Sequence, residues 1–85
     1  MISLVGDGDA ALRSCMGKEL LAYRKEHGLS QERFAQILKI SVRSYIDLEH
    51  GAAFPSAITL LRFFLLLDDQ EMLSVLATKI GRAHV

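Results

Sequence analysis

What most constrains this 85-residue chain is the way its apolar residues are punctuated. Between residues 28 and 56, serines stand just ahead of apolar groups at helical spacing (Ser30, Ser41, Ser56), and glycines stand just after them (Gly28, Gly51). A serine hydroxyl at a helix start accepts a hydrogen bond from a backbone N–H of the first turn. A glycine at a helix end tolerates the left-handed backbone that closes the last turn. Helices as short as the intervals allow are unstable alone in water. They persist only by packing apolar faces on one another, so the punctuation predicts a small all-α domain with short turns.

The periodicity fills in the elements. From Asp9, a potential cap, Leu12, Met16, Leu20 and Tyr23 recur at intervals of four, four and three. Gly17 interrupts this helix at a cost of about 1 kcal/mol relative to alanine, which makes a break or a late start possible. Residues 1–8 read as a flexible segment, or at best a short strand in need of a partner. A second helix follows Ser30, with Phe34, Ile37 and Leu38 inward, and Lys39-Ile40 forms a brief connection. Ser41 caps a third helix, Val42 to Glu49, seated by Tyr45 and Leu48. Pro55 and Ser56 open a fourth, with an apolar stripe of Leu60, Leu61, Phe64 and Leu67 that leaves Ile58, Leu65 and Leu66 outside it. Asp68 with Glu71, then Lys79 and Gly81, delimit a fifth, striped by Met72, Leu73, Leu76 and Ile80. The domain is thus expected over residues 9–67, with a C-terminal helix and tail over 68–85.

Composition excludes several classes. Hydrophobic residues are 51% of the chain, too many for a disordered segment, and a single proline excludes linker-like sequence. The longest apolar stretch, Phe63 to Leu67, is far below the about 20 residues that cross a bilayer. No secretory signal is apparent, and the single cysteine, Cys15, permits no internal disulfide, so a cytoplasmic protein without membrane partners is expected. His27, His50 and His84 are scattered without ligand spacing, and no nucleophile–base–acid set can be assembled. Asp7 and Asp9 lack the downstream glutamate of a calcium loop. No metal, no cofactor and no enzymatic activity are expected.

Two short helices joined by three or four residues form the helix-turn-helix layout. Ala35 is the small residue where the pair meets, and Ile40 plugs the turn. The strings Gly28-Leu29-Ser30-Gln31-Glu32-Arg33-Phe34-Ala35, Ile40-Ser41-Val42-Arg43-Ser44-Tyr45-Ile46-Asp47-Leu48-Glu49-His50-Gly51 and Phe54-Pro55-Ser56 carry more than that layout. They resemble the phage repressor and Cro-like (lambda repressor-like, Xre-type) helix-turn-helix family, over roughly 50 residues of the chain. The resemblance implies a compact five-helix domain of that type with an additional C-terminal helix, and a repressor-like transcription regulator that binds double-stranded DNA.

It also implies roles by position. Ser30 and Gln31 would meet a phosphate at a helix N-terminus. Val42, Arg43, Ser44 and Asp47 would face base edges in the major groove, with Ser41 at the head of that helix. Arg43 could bind guanine in two places, Val42 a thymine methyl, and Asp47 a cytosine amine. Arg24 and Glu49 match the family's structural ion pair.

The chain departs from the pattern after Gly51, where the family places basic residues that clamp the DNA backbone and this chain has Ala52, Ala53 and Phe54. The formal net charge is zero, and the cations near the expected DNA face are Arg33, Lys39 and Arg43, with His50 a weak fourth. Each phosphate contact contributes about −0.9 to the salt slope of binding, so one copy would bind feebly and two are needed. The surplus apolar residues Ile58, Leu65 and Leu66, with Met72 and Leu76, are the expected contacts of a homodimer. The alternative function is a helix-turn-helix used as a protein-interaction module, antitoxin-like or a regulatory partner, in which Val42, Ile46 and Phe54 touch a protein partner and DNA binding is weak or absent.

Overall fold

A computed structural model of the chain describes residues 2–67, with side chains from Asp9 onward, as four helices. They are α1 (Ile2–Glu26), α2 (Gln31–Leu38), α3 (Val42–Glu49) and α4 (Ala57–Leu66). The fold of the described residues is all-α. The expected fifth helix, with Met72 and Leu76, lies outside the described residues.

The serines set the helix starts. Ser30, Ser41 and Ser56 are all extended, and their hydroxyls accept from the backbone N–H of Arg33, Ser44 and Thr59. The ends of α1, α2 and α3 share a second device. The residue in the left-handed region is Gly28, Lys39 or Gly51, with φ of 65°, 63° and 78°. The N–H groups of Leu29, Ile40 and Ala52, one residue further on, reach back to the carbonyls of Arg24, Ala35 and Asp47. Carbonyls that a helix end would otherwise leave open are thereby satisfied.

The start of α1 differs from the sequence expectation. Residues 2–8 continue the helix instead of forming a loose segment or a strand, and Asp9 is interior to it, not a cap. Gly6 and Gly8 are poor helix formers, but extending an existing helix requires no new nucleus. Nor does Gly17 break the helix. Gly17 is buried where α1 crosses the end of α3, and an added Cβ would lie 2.6 Å from the Glu49 carbonyl oxygen and 2.7 Å from that of Leu48. The residue that looked like a flaw in α1 is what lets two backbones meet.

The core lies between the helices and draws one ring from each. Phe34 is fully buried at its centre. Its ring lies 5.4 Å from Tyr23 on α1, 5.2 Å from Tyr45 on α3 and 6.2 Å from Phe63 on α4. Leu20, Ala35, Leu38 and Leu48 complete the buried set. These separations are in the range where aromatic pairs add stabilisation beyond their buried area.

Two apolar assignments are corrected. Leu12, expected in the α1 stripe, is 57% exposed. On α4 the buried residues are Thr59 and Phe63, while Leu61 is 57% exposed and Leu66 packs partly against the core. Pro55, Thr59 and Phe63 are buried, and Ser56 donates to the Thr59 hydroxyl at 3.1 Å, which satisfies that polar group where α4 turns it inward.

Two outcomes are expected. Gly17→Ala gains helix propensity yet drives a methyl into two carbonyls, so it lowers stability by about 2 kcal/mol in urea unfolding. Lys39→Gly removes a side chain from the left-handed region, where non-glycine residues carry a cost of about 1–2 kcal/mol. After the larger entropy of the unfolded glycine chain is subtracted, the gain is about 0.5–1 kcal/mol, and Tm rises by roughly 3–6 °C.

Candidate nucleic-acid interface

The α2–turn–α3 unit presents one side of α3 outward. Tyr45 and Leu48 face the core, while Val42, Arg43 and Ser44 are exposed and Ile46 and Asp47 are half-buried. Arg43 projects furthest, with 84% of its side chain exposed, and its Nε lies 3.6 Å from Asp47 Oδ1. An exposed pair four residues apart on a helix is weak and screened by salt, about 0.3–0.5 kcal/mol. Ser41 and Ser44 are joined by a 3.0 Å hydroxyl bond, and Ser41 also accepts the Ser44 N–H. Arg33 is exposed and donates to Gln36 Oε1 at 3.2 Å, and Lys39 and His50 are exposed at the ends of α2 and α3. Ser30 is exposed at the head of α2.

What holds α3 in place is a knot of three side chains around the Glu49 carboxylate. Arg24 of α1 binds it through two nitrogens, Nε to Oε2 at 2.7 Å and Nη2 to Oε1 at 3.2 Å. Gln31 of α2 donates its amide to Oε1 at 2.9 Å, and Tyr45 of α3 donates its hydroxyl to Oε2 at 2.5 Å. Arg24 Nη1 also donates to the Leu29 carbonyl at 3.1 Å, beyond the end of α1. Three helices therefore converge on one anion whose side chain is only 5% exposed.

Sequence reasoning assigned Gln31 to a phosphate. In the structure its amide nitrogen is committed to Glu49, which leaves the carbonyl end and the backbone of that first turn for other partners. Tyr45 is core first, as its position predicts, and its hydroxyl adds the third donor. The signal was its spacing, since residues 45 and 49 lie four apart on one helix face. Arg13 was not singled out at all, yet its Nε donates to the Gly51 carbonyl at 3.3 Å, at the end of α3.

The electrostatics follow from this packing. Burial pushes the Glu49 carboxyl up, but the bonds from Arg24, Tyr45 and Gln31 outweigh burial and hold it below the ordinary carboxylate value. The Glu49 bond raises Arg24 further above its ordinary value. Burial, reinforced by the Glu49 bond, raises Tyr45 well above an ordinary phenol.

Beside α3, a shallow groove of about 240 Å³ runs to the α3–α4 loop, bordered by Ile40, Ser44, Asp47, Phe54 and Ser56. Phe54 is 45% exposed at its edge. Among the described residues no three His, Cys, Asp or Glu side chains converge as a metal site, and no helix is long and apolar enough to cross a membrane.

A family model described as helix-turn-helix matches residues 20–68, from the middle of α1 to just past α4. The chain belongs to this lambda repressor-like (Xre-type) helix-turn-helix family, a family of DNA-binding regulators. No curated protein and no solved structure matches the chain significantly.

The Glu49 knot predicts a pH dependence. A folded-state pKa below the unfolded value of about 4.5 gives stability that is complete above that pH and is lost as pH falls through the folded value. A raised Tyr45 gives stability that is complete below pH 10 and is lost at higher pH. Urea unfolding from pH 3 to 11 should therefore show a plateau with both limbs. Glu49→Gln should flatten the acid limb and lower stability at pH 7 by about 3 kcal/mol, because Arg24 loses its counter-ion in a partly buried site.

Proposed function

We propose that the chain is a sequence-specific transcriptional regulator that binds double-stranded DNA as a homodimer, on a roughly palindromic operator, in the cytoplasm. The observation that carries this reading is the outward side of α3. Val42, Arg43 and Ser44 are exposed on a helix anchored from behind by Tyr45, Leu48 and the Glu49 knot. An α-helix presented in this way fits the major groove, where side chains of this kind read base edges.

Arg43 takes guanine and Val42 a thymine methyl, while Asp47 accepts from cytosine once its weak bond to Arg43 is released. Ser30 and the first turn of α2 lie against a phosphate, with the free end of the Gln31 amide beside them. Arg33, Lys39 and His50 add phosphate contacts, and Ser41 and Ser44 line the entry of α3 into the groove. Three or four such contacts per copy give weak binding at physiological salt, so two copies act together. The described surface supports a second copy at α4. Ile58, Leu61 and Leu65 stand three and four residues apart on one exposed stripe, with Leu65 84% exposed. In this arrangement Leu61 takes the place expected for Leu66. A two-fold dimer then sets its α3 helices about 34 Å apart, one helical turn of DNA.

One observation favours a second reading. Phe54 leaves apolar surface in the groove beside Asp47, and Val42 is exposed at the start of α3, where a DNA-binding face is normally basic. A protein partner would suit that surface better than phosphates do.

Titration of labelled duplex DNA at 50 and 200 mM salt, with light scattering at tens of micromolar protein, separates the two readings. The first predicts a dimer with submillimolar binding that collapses with salt and weakens with Arg43→Ala. A monomer that ignores DNA at both salt concentrations would favour the protein-interaction module.

A further inference from the structure

The loop after α3 carries Ala52, Ala53 and Phe54, and no charge of its own. A cation nevertheless reaches it from α1. Arg13 lies three turns before Arg24 on that helix and directs Nε to the Gly51 carbonyl, 3.3 Å away. The backbones are close as well: an added Cβ on Gly51 would come within 3.4 Å of Ser14 Cα. The crossing at Gly17 and the bond at Arg13 therefore fix α1 and the loop in a single register.

A guanidinium has five N–H donors in a rigid fork, and the Gly51 bond uses the one on Nε. Nη1 and Nη2 of Arg13 have no hydrogen bond or ion pair among the described residues. Arg13 borders a groove with Asp9, Leu12 and Phe54, and no ion pair joins Asp9 to Arg13 among the described residues. Arg62 supplies a comparison: its Nη1 donates to the Leu38 carbonyl at 3.4 Å, at the end of α2. Such bonds place a cation at the negative end of a helix, and that role alone would account for the Nε bond of Arg13.

We propose that Arg13 is also a phosphate clamp. Pinned through Nε, it turns its two terminal amino groups to a backbone phosphate of DNA passing the α3–α4 loop, and so restores to the surface the charge that residues 52–54 lack. The proposal rests on the DNA-binding reading above. A guanidinium already held at one nitrogen loses little further freedom when it grips an anion, and its fork matches two phosphate oxygens. The contact is independent of sequence and sets the position of α3 without reading a base. Arg13 lies upstream of the family match at residues 20–68, so the clamp belongs to the part of α1 that precedes the shared domain.

The test measures binding of the full chain to random-sequence labelled duplex from 50 to 200 mM salt, alongside thermal melting. Arg13→Gln keeps a side chain that can donate to Gly51 but removes the charge. It should reduce the slope of log K against log salt by about 0.9 per protomer and weaken binding about tenfold at 50 mM. Arg13→Lys keeps the charge and should retain the wild-type slope even where Tm falls. A wild-type slope in Arg13→Gln, or equal losses in both variants that track Tm, would reduce Arg13 to a cap on α3 and overturn the clamp. If the unaltered chain fails to bind at 50 mM, the DNA-binding reading itself falls, and the clamp with it.

Discussion

The orientation of α3 depends on a single buried carboxylate. Among the described residues Glu49 joins α1, α2 and α3 through hydrogen bonds, which it receives from Arg24, Gln31 and Tyr45. A buried anion is costly unless its lone pairs are satisfied, and here four bonds satisfy them. Rotating α3 about its own axis would break the Arg24 and Gln31 bonds together. The exposed side of α3 is therefore set by a polar interaction, while the core around Phe34 supplies the apolar burial. Direction and cohesion come from different residues.

The same division explains how α1 acts. Its inward residues contact α3 in succession: Arg24 on Glu49, Gly17 on the carbonyls of Leu48 and Glu49, and Arg13 on Gly51. The helix works as a rail along which the end of α3 is held. α2 has a smaller part, contributing Gln31 to the knot and Phe34 to the core. α4 closes the core through Phe63 and leaves Ile58, Leu61 and Leu65 on its far side.

Much of this was legible from residue types because the signals were local. Ser30 and Ser41 marked the starts of α2 and α3, and Gly28 and Gly51 marked the ends of α1 and α3, since a cap needs only a hydroxyl or a missing Cβ at one position. The features that were not legible depend on contacts across space. Gly17 looked like a helix breaker because its neighbour, the end of α3, is 31 residues away in sequence. The rotation of α4 was misjudged because Leu60 to Leu67 is apolar on every side except Arg62, so periodicity carries no information there. Thr59 and Phe63 are the residues buried instead, the Thr59 hydroxyl being satisfied by the Ser56 cap. The Gln31 bond to Glu49 spans 18 residues of sequence and no local rule supplies it, whereas the Tyr45 bond follows the four-residue spacing on α3.

Lys39 is the one non-glycine residue among the described residues with a positive φ, and it sits at the turn between α2 and α3. Glycine would suit that backbone better, yet glycine cannot carry an ammonium group. Thermal robustness and cationic character thus pull in opposite directions at a single codon. Selection for heat tolerance alone would erode the charge at this turn, and retention of the lysine holds the fold below the stability its own topology permits.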